Sequence, residues 1–451
     1  MEDLYDFTIT YGLIPKVLPE FKQITAGGAL LGTGIESSSF KFGLFERTVT
    51  QMEIITGEGS VMTIDKNKNA DLFYSFSGSY GTLGILTLLE IELIEAKPFV
   101  QLSYHKITDY KTAVDKIAQI SKNTEIDFLD SILFSRRNVI IMEGKMVGEF
   151  PKNSTFSKNS QKNFPSLKTQ NTNNKQTPQK IKPTLSLRYF WSKWFYRHVF
   201  FVTNIDSEKE ENDKGIVHKD FLPLKDYIFR YDRCAFWMGT FLEKDTLKYR
   251  LLLGWLRSSY VLYRMRKLWT ARNFEEKLYT HDFIVPHENV EGFIQESIQK
   301  MFVHPLWLCP VTTNTSNVEN DQIQNIIFSI SDSRNKINQK KNSNLGKIQD
   351  DLFVNVGIYG LPDVVDFGVP YRECFDIVNK YMENFACFLN AKKFLYGSSY
   401  YSPQSFWRCY NKNVYDKIRS KYNAHLFPDI YQKIGNCGLR SKLSNLNKNE
   451  K

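Results

Sequence analysis

Apolar and polar residues alternate with a period near two through much of the first 150 positions, and glycine clusters break the runs. "RTVTQMEIITGEGSVMTI" (Arg47–Ile64) has β-branched residues in rough alternation on both sides of "TGEGS", which predicts a β-hairpin. "GTLGILTLLEIELIEA" (Gly81–Ala96) then enters a strand from a glycine turn. The first hundred residues thus read as short strands joined by glycine-rich turns. From Phe99 the rhythm changes. "FVQLSYHKI" predicts a strand, "DYKTAVDKIAQISK" a helix, and "DSILFS" and "NVIIMEGKMV" two further strands. This β-α-β-β order looks like half of an α+β sandwich, and a domain boundary is expected near Ala96–Pro98, dividing 1–97 from 98–451. Farther on, "DLFVNVGIYG" (Asp351–Gly360) reads as a strand, followed by helices over Tyr371–Phe388 and Asn413–Tyr422.

Two stretches lack any such period. Lys152–Thr184 and Asn314–Asp350 are rich in Asn, Gln, Ser, Thr and Lys, and both are expected to be disordered inserts in the second region. With 451 residues and 42% hydrophobic content, the remainder is long and apolar enough for two or three folded domains. The formal charge of +10 is uneven, because Lys152–Thr184 holds seven lysines and no Asp or Glu. A nucleic-acid or membrane adaptor built on that insert therefore ranks last among the functions, and no nucleic-acid partner is expected.

The six cysteines form no CxxC pair, and their scatter argues for a reducing compartment without a disulfide framework. Seven histidines show no ligand spacing, so no metal is expected. No run of 18 uncharged apolar residues occurs, and "MEDLYDFTITYG" matches neither a signal nor a transit peptide.

Glycine carries the most specific chemistry. "TAGGALLGTGIESSSFKFG" (Thr25–Gly43) holds five glycines and three consecutive serines. Successive backbone N–H groups in such turns can form anion-binding nests suited to a pyrophosphate, with Ser37, Ser38 and Ser39 as further donors. The string is neither a P-loop nor a GxGxxG fingerprint, so a structural turn cluster is the alternative. "GSYGTLGIL" (Gly78–Leu86) adds a second cluster that also ends in a strand, and two such clusters around one small sheet favour the cofactor loop.

"TAGGALLGTGIESSSFKFGLF", "NADLFYSFSGSYGTLGILTLLEIELI", "FLPLKDYIFRYDRCAFW", "VHPLWLCP" and "FVNVGIYGLP" together resemble the Δ24-sterol reductase (Diminuto, or seladin) family. That family belongs to the FAD-linked oxidoreductases of the vanillyl-alcohol-oxidase fold. The resemblance runs from about Leu13 to Ile434. It implies an α+β chain in which the C-terminal part of a PCMH-type FAD-binding domain precedes an α+β cap domain. It also implies one FAD, NADPH as hydride source, and reduction of the side-chain C24=C25 bond of a sterol. By motif match, Thr25, Gly27, Gly28, Gly32, Gly34, Ile35, Ser38, Ser39 and Gly43 lie along the cofactor. Gly78, Gly81, Gly84 and Ile85 match the later turn beside it.

A hydride added to one end of an alkene needs a proton at the other. Asp232 and Arg233 in "RYDR" and Asp282 in "HDFIVP" are the candidates, with a salt-bridged structural role as the alternative. Arg230 and Arg233 are candidates for the NADPH phosphates on charge alone. His304 in "VHPLWLCP" reads as packing and Cys309 as a buried small hydrophobe. Lys248–Trp269 predicts a basic, aromatic amphipathic helix that packs on the cap or lies on a membrane surface. The family carries an N-terminal anchor and a first FAD subdomain that have no counterpart here, so a truncated, non-catalytic remnant is the alternative function. The endoplasmic reticulum membrane is the location implied by resemblance, with the cytoplasm as the alternative.

Overall fold

The computed structural model describes residues 1–149, 194–205, 215–241, 258–259, 261, 278–313, 352–362 and 371–434. The inserts expected at 152–184 and 314–350 lie outside the described residues, as does the predicted helix Lys248–Trp269 apart from Ser258, Ser259 and Val261.

The expected hairpin forms. β1 (Leu13–Pro15) precedes it, and β2 (Val49–Ile55) pairs antiparallel with β3 (Val61–Asp65), Ile54 opposite Met62. β4 (Ile85–Ile91) adds to the other side of β2, giving a three-stranded sheet in the order β3-β2-β4, while β5 (Leu93–Glu95) pairs with β1. Reading this region as strands and turns alone is corrected by four short helices: α1 (Glu2–Thr8), α2 (Ala26–Leu31), α3 (Ser39–Phe42) and α4 (Ala70–Phe76). None spans more than seven residues, too few for a helical period to stand out.

The β-α-β-β order beyond Phe99 also forms. β6 (Phe99–Ile107), α5 (Tyr110–Ile120), β7 (Phe128–Ser135) and β8 (Asn138–Val147) are followed by α6 (Phe195–Ile205), β9 (Ile216–Pro223) and α7 (Leu224–Ile228). Then come β10 (Tyr279–Pro286), α8 (His287–Met301), β11 (Leu306–Thr312), β12 (Leu352–Gly360), α9 (Tyr371–Phe388) and β13 (Lys392–Lys393). These strands make one eight-stranded antiparallel sheet in the order β13-β10-β12-β11-β7-β8-β6-β9.

Strand alternation gives this sheet two buried faces. Val139, Ile141, Leu308, Val354 and Val356 pack under α5, α8 and α9, against Ile117, Phe293, Ile294 and Met382. Ile132, Ile140, Met142, Trp307 and Cys309 share a core with Ile14, Phe45 and Ile54 of the first region. The same alternation turns Asp130 of β7 and Asp282 of β10 toward that second face, where the glycine-rich segments lie.

The chain then returns to its beginning. After α10 (Pro403–Cys409), α11 (Lys412–Lys421) docks on α4 and the second glycine cluster, and α12 (Ile430–Ile434) follows. Tyr415 donates to Thr82 Oγ1 at 2.9 Å, Arg419 donates to the Thr82 carbonyl at 2.8 Å, and Lys421 pairs with Asp71 at 2.6 Å. The expectation of unpaired cysteines is also corrected: Cys387 and Cys409 form a disulfide joining α9 to α10. Their Cα atoms are 5.5 Å apart because the two helices pack together, a proximity that a separation of 22 residues does not reveal.

Gly57 in the hairpin turn meets the returning chain so closely that a Cβ there would sit 1.9 Å from the Asn423 carbonyl oxygen. Gly57→Ala is expected to lift that segment and cost about 1–3 kcal/mol, the usual scale of overpacking. A lower urea midpoint and faster proteolysis within residues 422–434 are the readouts. A wild-type midpoint with full protection would show that this docking contributes no stability.

Candidate functional site

The first glycine segment is built differently from a nest. Thr25 caps α2 by accepting the Gly28 N–H at 2.9 Å, so Gly27 and Gly28 lie inside a helical turn and Gly32 closes it. The N–H groups of Gly32, Gly34, Gly43 and Gly78 donate to the carbonyls of Gly28, Ala29, Ser39 and Leu30. With Gly28, five glycine amides are therefore committed within the protein. The serine hydroxyls are committed too. Ser37 bonds Glu36 and Tyr227, Ser38 donates to the Lys16 carbonyl, and Ser39 accepts the Glu36 N–H. Close packing accounts for some of the glycines: a Cβ on Gly34 would lie 2.9 Å from Pro19, and one on Gly84 3.0 Å from the Ile55 carbonyl. Ile35 is buried, whereas Ile85 is 53% exposed.

The two glycine segments nevertheless meet. Gly78 and Tyr80 donate their N–H groups to Leu30 and Leu31, and Ser77 donates its hydroxyl to the Leu30 carbonyl. Gly78 and Gly81 adopt φ of +66° and +71°, which only glycine takes readily. Thr33 and Tyr80, one from each segment, line a small cavity with Ile284, Lys393, Phe394 and Tyr410. Its volume of about 10 Å³ holds a single water.

Beneath the segments lies a buried charge network that the sequence pattern does not reveal. Arg230 pairs with Glu36 of the first segment and Asp130 of β7, both at 3.0 Å. Tyr231 and Trp307 donate to the same Asp130 oxygen at 2.7 and 3.0 Å. Burial opposes the charge on Arg230, and the Asp130 and Glu36 carboxylates override it, holding the guanidinium well above its ordinary value. Tyr231 stacks on Phe236 with ring centroids 4.3 Å apart, and Phe236 packs against Trp307 and Tyr359. The turn bearing Phe236 holds Cys234, Ala235 and Phe236 all at positive φ, a strained path fixed by this aromatic packing.

The three predicted catalytic residues fall in two places. Asp232 accepts from Ser259 Oγ at 2.6 Å and from the Lys22 N–H at 3.1 Å. Arg233 is 6% exposed beside it and bridges to Ser258. Asp282 is fully buried and accepts from Asn355 at 2.7 Å, from Tyr359 at 2.6 Å, and from the Tyr396 hydroxyl. Burial pushes the Asp282 carboxyl up, against the pull of those three donors and of Lys393. Burial, reinforced by Glu36 and Asp282, likewise pushes Glu20 well up. Lys393 itself pairs with buried Glu383 at 2.6 Å.

Glu20, Glu36, Asp130, Tyr359 and Tyr396 were not anticipated from the sequence. Asp130 had the clearest signal, a carboxylate on a strand face otherwise made of Phe128, Ile132 and Phe134. Tyr396 differs from the others because its residue is 52% exposed while its hydroxyl turns inward onto Asp282. It connects a buried carboxyl, raised by burial, to the outside. Such an arrangement can deliver a proton to a substrate bound at that surface.

No protein-family profile matches the chain. It is 27% identical over 423 residues to the Delta(24)-sterol reductase of Homo sapiens, covering 93% of this chain and 69% of that protein. It is also 27% identical over 444 residues to the Delta(24)-sterol reductase of Pisum sativum, covering 94% and 70%. A shorter likeness, 33% over 135 residues, links 30% of the chain to 24% of cytokinin dehydrogenase 1 of Arabidopsis thaliana. Over nearly its whole length the chain is thus similar to proteins named Delta(24)-sterol reductase.

Proposed function

We propose that the chain is an FAD-dependent oxidoreductase that reduces the side-chain C24=C25 double bond of a sterol intermediate, with NADPH as hydride source. The observation that carries this reading is the likeness over 93% of the chain to a protein named Delta(24)-sterol reductase. The seam between the glycine segments supports it. There Ser79 keeps a buried hydroxyl with no partner among the described residues, and Ile85 offers exposed apolar surface at the start of β4. Those groups fit a ligand with a polar end and a flat apolar body, and this seam would hold FAD. When bound, FAD supplies the hydride-transfer chemistry.

The chain's own residues supply the proton. Asp282 retains a proton to higher pH than an ordinary carboxyl, and Tyr396 links it to the exposed side. Because Tyr396 is half exposed, the substrate alkene is expected at its outer face. With Asp282 protonated, the hydrogen bond between it and Tyr396 runs from carboxyl to phenol oxygen. Tyr396 gives its proton to one carbon as hydride saturates the other, Asp282 reprotonates the phenolate, and solvent restores the carboxyl proton. A sterol substrate suits a membrane-surface location; among the described residues no helix is long and apolar enough to cross a membrane. A second reading, a fold that has lost its flavin, is favoured by the five glycine amides and three serine hydroxyls committed to internal bonds.

The purified chain is expected to show a flavin absorbance band and to convert a Δ24-sterol with NADPH, followed by mass spectrometry. A colourless protein without turnover supports the second reading. Asp282→Asn and Tyr396→Phe should each lower kcat by about 100-fold or more, the scale of general-acid catalysis, with flavin content unchanged. Wild-type turnover in both variants would remove them from the mechanism. Because the Asp282 carboxyl is raised, donation is complete below its shifted pKa and declines as pH climbs through it. The kcat profile should therefore fall on the alkaline side, and the residual activity of Asp282→Asn should lack that fall.

A further inference from the structure

At the opposite edge of the large sheet, three side chains converge that take no part in the site above. His218 and Asp220 are two residues apart on β9 and project from the same face. His198 reaches them from α6, which packs on that strand. One nitrogen of each imidazole and one carboxylate oxygen all lie within 4.8 Å of one another. His198 Nε2 is 2.6 Å from Asp220 Oδ2, and His218 Nε2 is 3.2 Å from Asp220 Oδ1.

We infer that His198, His218 and Asp220 bind a divalent cation of the zinc class. Two imidazoles and one carboxylate form a three-ligand set that zinc accepts, with water in the fourth position. Zinc ligands stand about 2.0–2.2 Å from the metal, so the ligand atoms lie about 3.3 Å apart, a spacing that small ring movements reach from here. The surroundings suit an ion. The Asp220 side chain is 8% exposed, while His198 and His218 are 36% and 23% exposed, leaving a solvent path on the imidazole side. Among the described residues, the ion pairs of Asp220 are both with these histidines, so no lysine or arginine occupies the place of the cation. Tyr104 is fully buried and donates to Asp220 Oδ2 at 2.8 Å, in the position of an outer-shell partner that orients a metal-bound carboxylate. The ion would fasten α6 to the edge strand.

The test uses the purified full chain, stripped with chelator, dialysed against Zn²⁺ and assayed by elemental analysis, with Co²⁺ absorbance reporting the geometry. One tightly held zinc per chain is expected in the wild type. The double variant His198→Gln/His218→Gln keeps amide donors toward Asp220 and should lose the zinc and the cobalt band, while its circular dichroism stays native. Tyr104→Phe should weaken binding by about 10–100-fold without abolishing it. Equal zinc uptake by the wild type and a natively folded double variant would overturn the assignment. Absence of uptake by the wild type would also overturn it, leaving a hydrogen-bonded His–Asp–His cluster. Should the double variant misfold, Asp220→Asn takes its place, with the same loss expected and retention counting against the site.

Discussion

A guanidinium with almost no access to water ties the first region of this protein to its large sheet. Arg230 lies between Glu36 of the first glycine segment and Asp130 of the large sheet, and its side chain is 2% exposed. Removing one partner from such a buried pair strands a charge in a low-dielectric interior, typically at 3–5 kcal/mol. The pairing therefore fixes where the N-terminal region sits on the sheet more firmly than apolar burial alone, which lacks direction. Tyr231 and Trp307 donate to the same Asp130 oxygen as Arg230, and their rings pack against Phe236.

One fixed cation thus lies among several carboxyls. Glu20, Glu36, Asp130 and Asp282 face the same interior, and Arg230 is paired with only two of them. Burial raises both Glu20 and Asp282; Glu36 and Asp282 add to the rise of Glu20, while Lys393 and three hydrogen-bond donors pull Asp282 back.

Long periodic elements were legible in the residues. The helix expected over Tyr371–Phe388 has those bounds, and the β-α-β-β succession after Phe99 forms with its helix on one sheet face. What was not legible depends on contacts between distant segments. "AGGALL" has two glycines in six residues and still forms a turn of helix, because Thr25 caps it and Ala29 and Leu30 are buried. Cys387 and Cys409, or His198 and Asp220, carry no spacing signal, since separate elements bring them together. The "RYDR" turn shows the same limit. Its charges suggested a site for phosphates, but Arg230 lies inside, where its partners come from residues 36 and 130.

The return of α11 to the first region also sets an order of events during synthesis. Asp71 and Thr82 leave the ribosome early, but the residues that bind them, Lys421 and Arg419, follow about 340–350 positions later. At about 5–20 residues per second, that interval lasts on the order of 20–70 s. Throughout it α4 lacks its companion helix and the Thr82 turn lacks the side chains of Tyr415 and Arg419. A nascent chain of this design waits with one side of α4 open, so its yield in the cell depends on how well chaperones shield that side until α11 emerges.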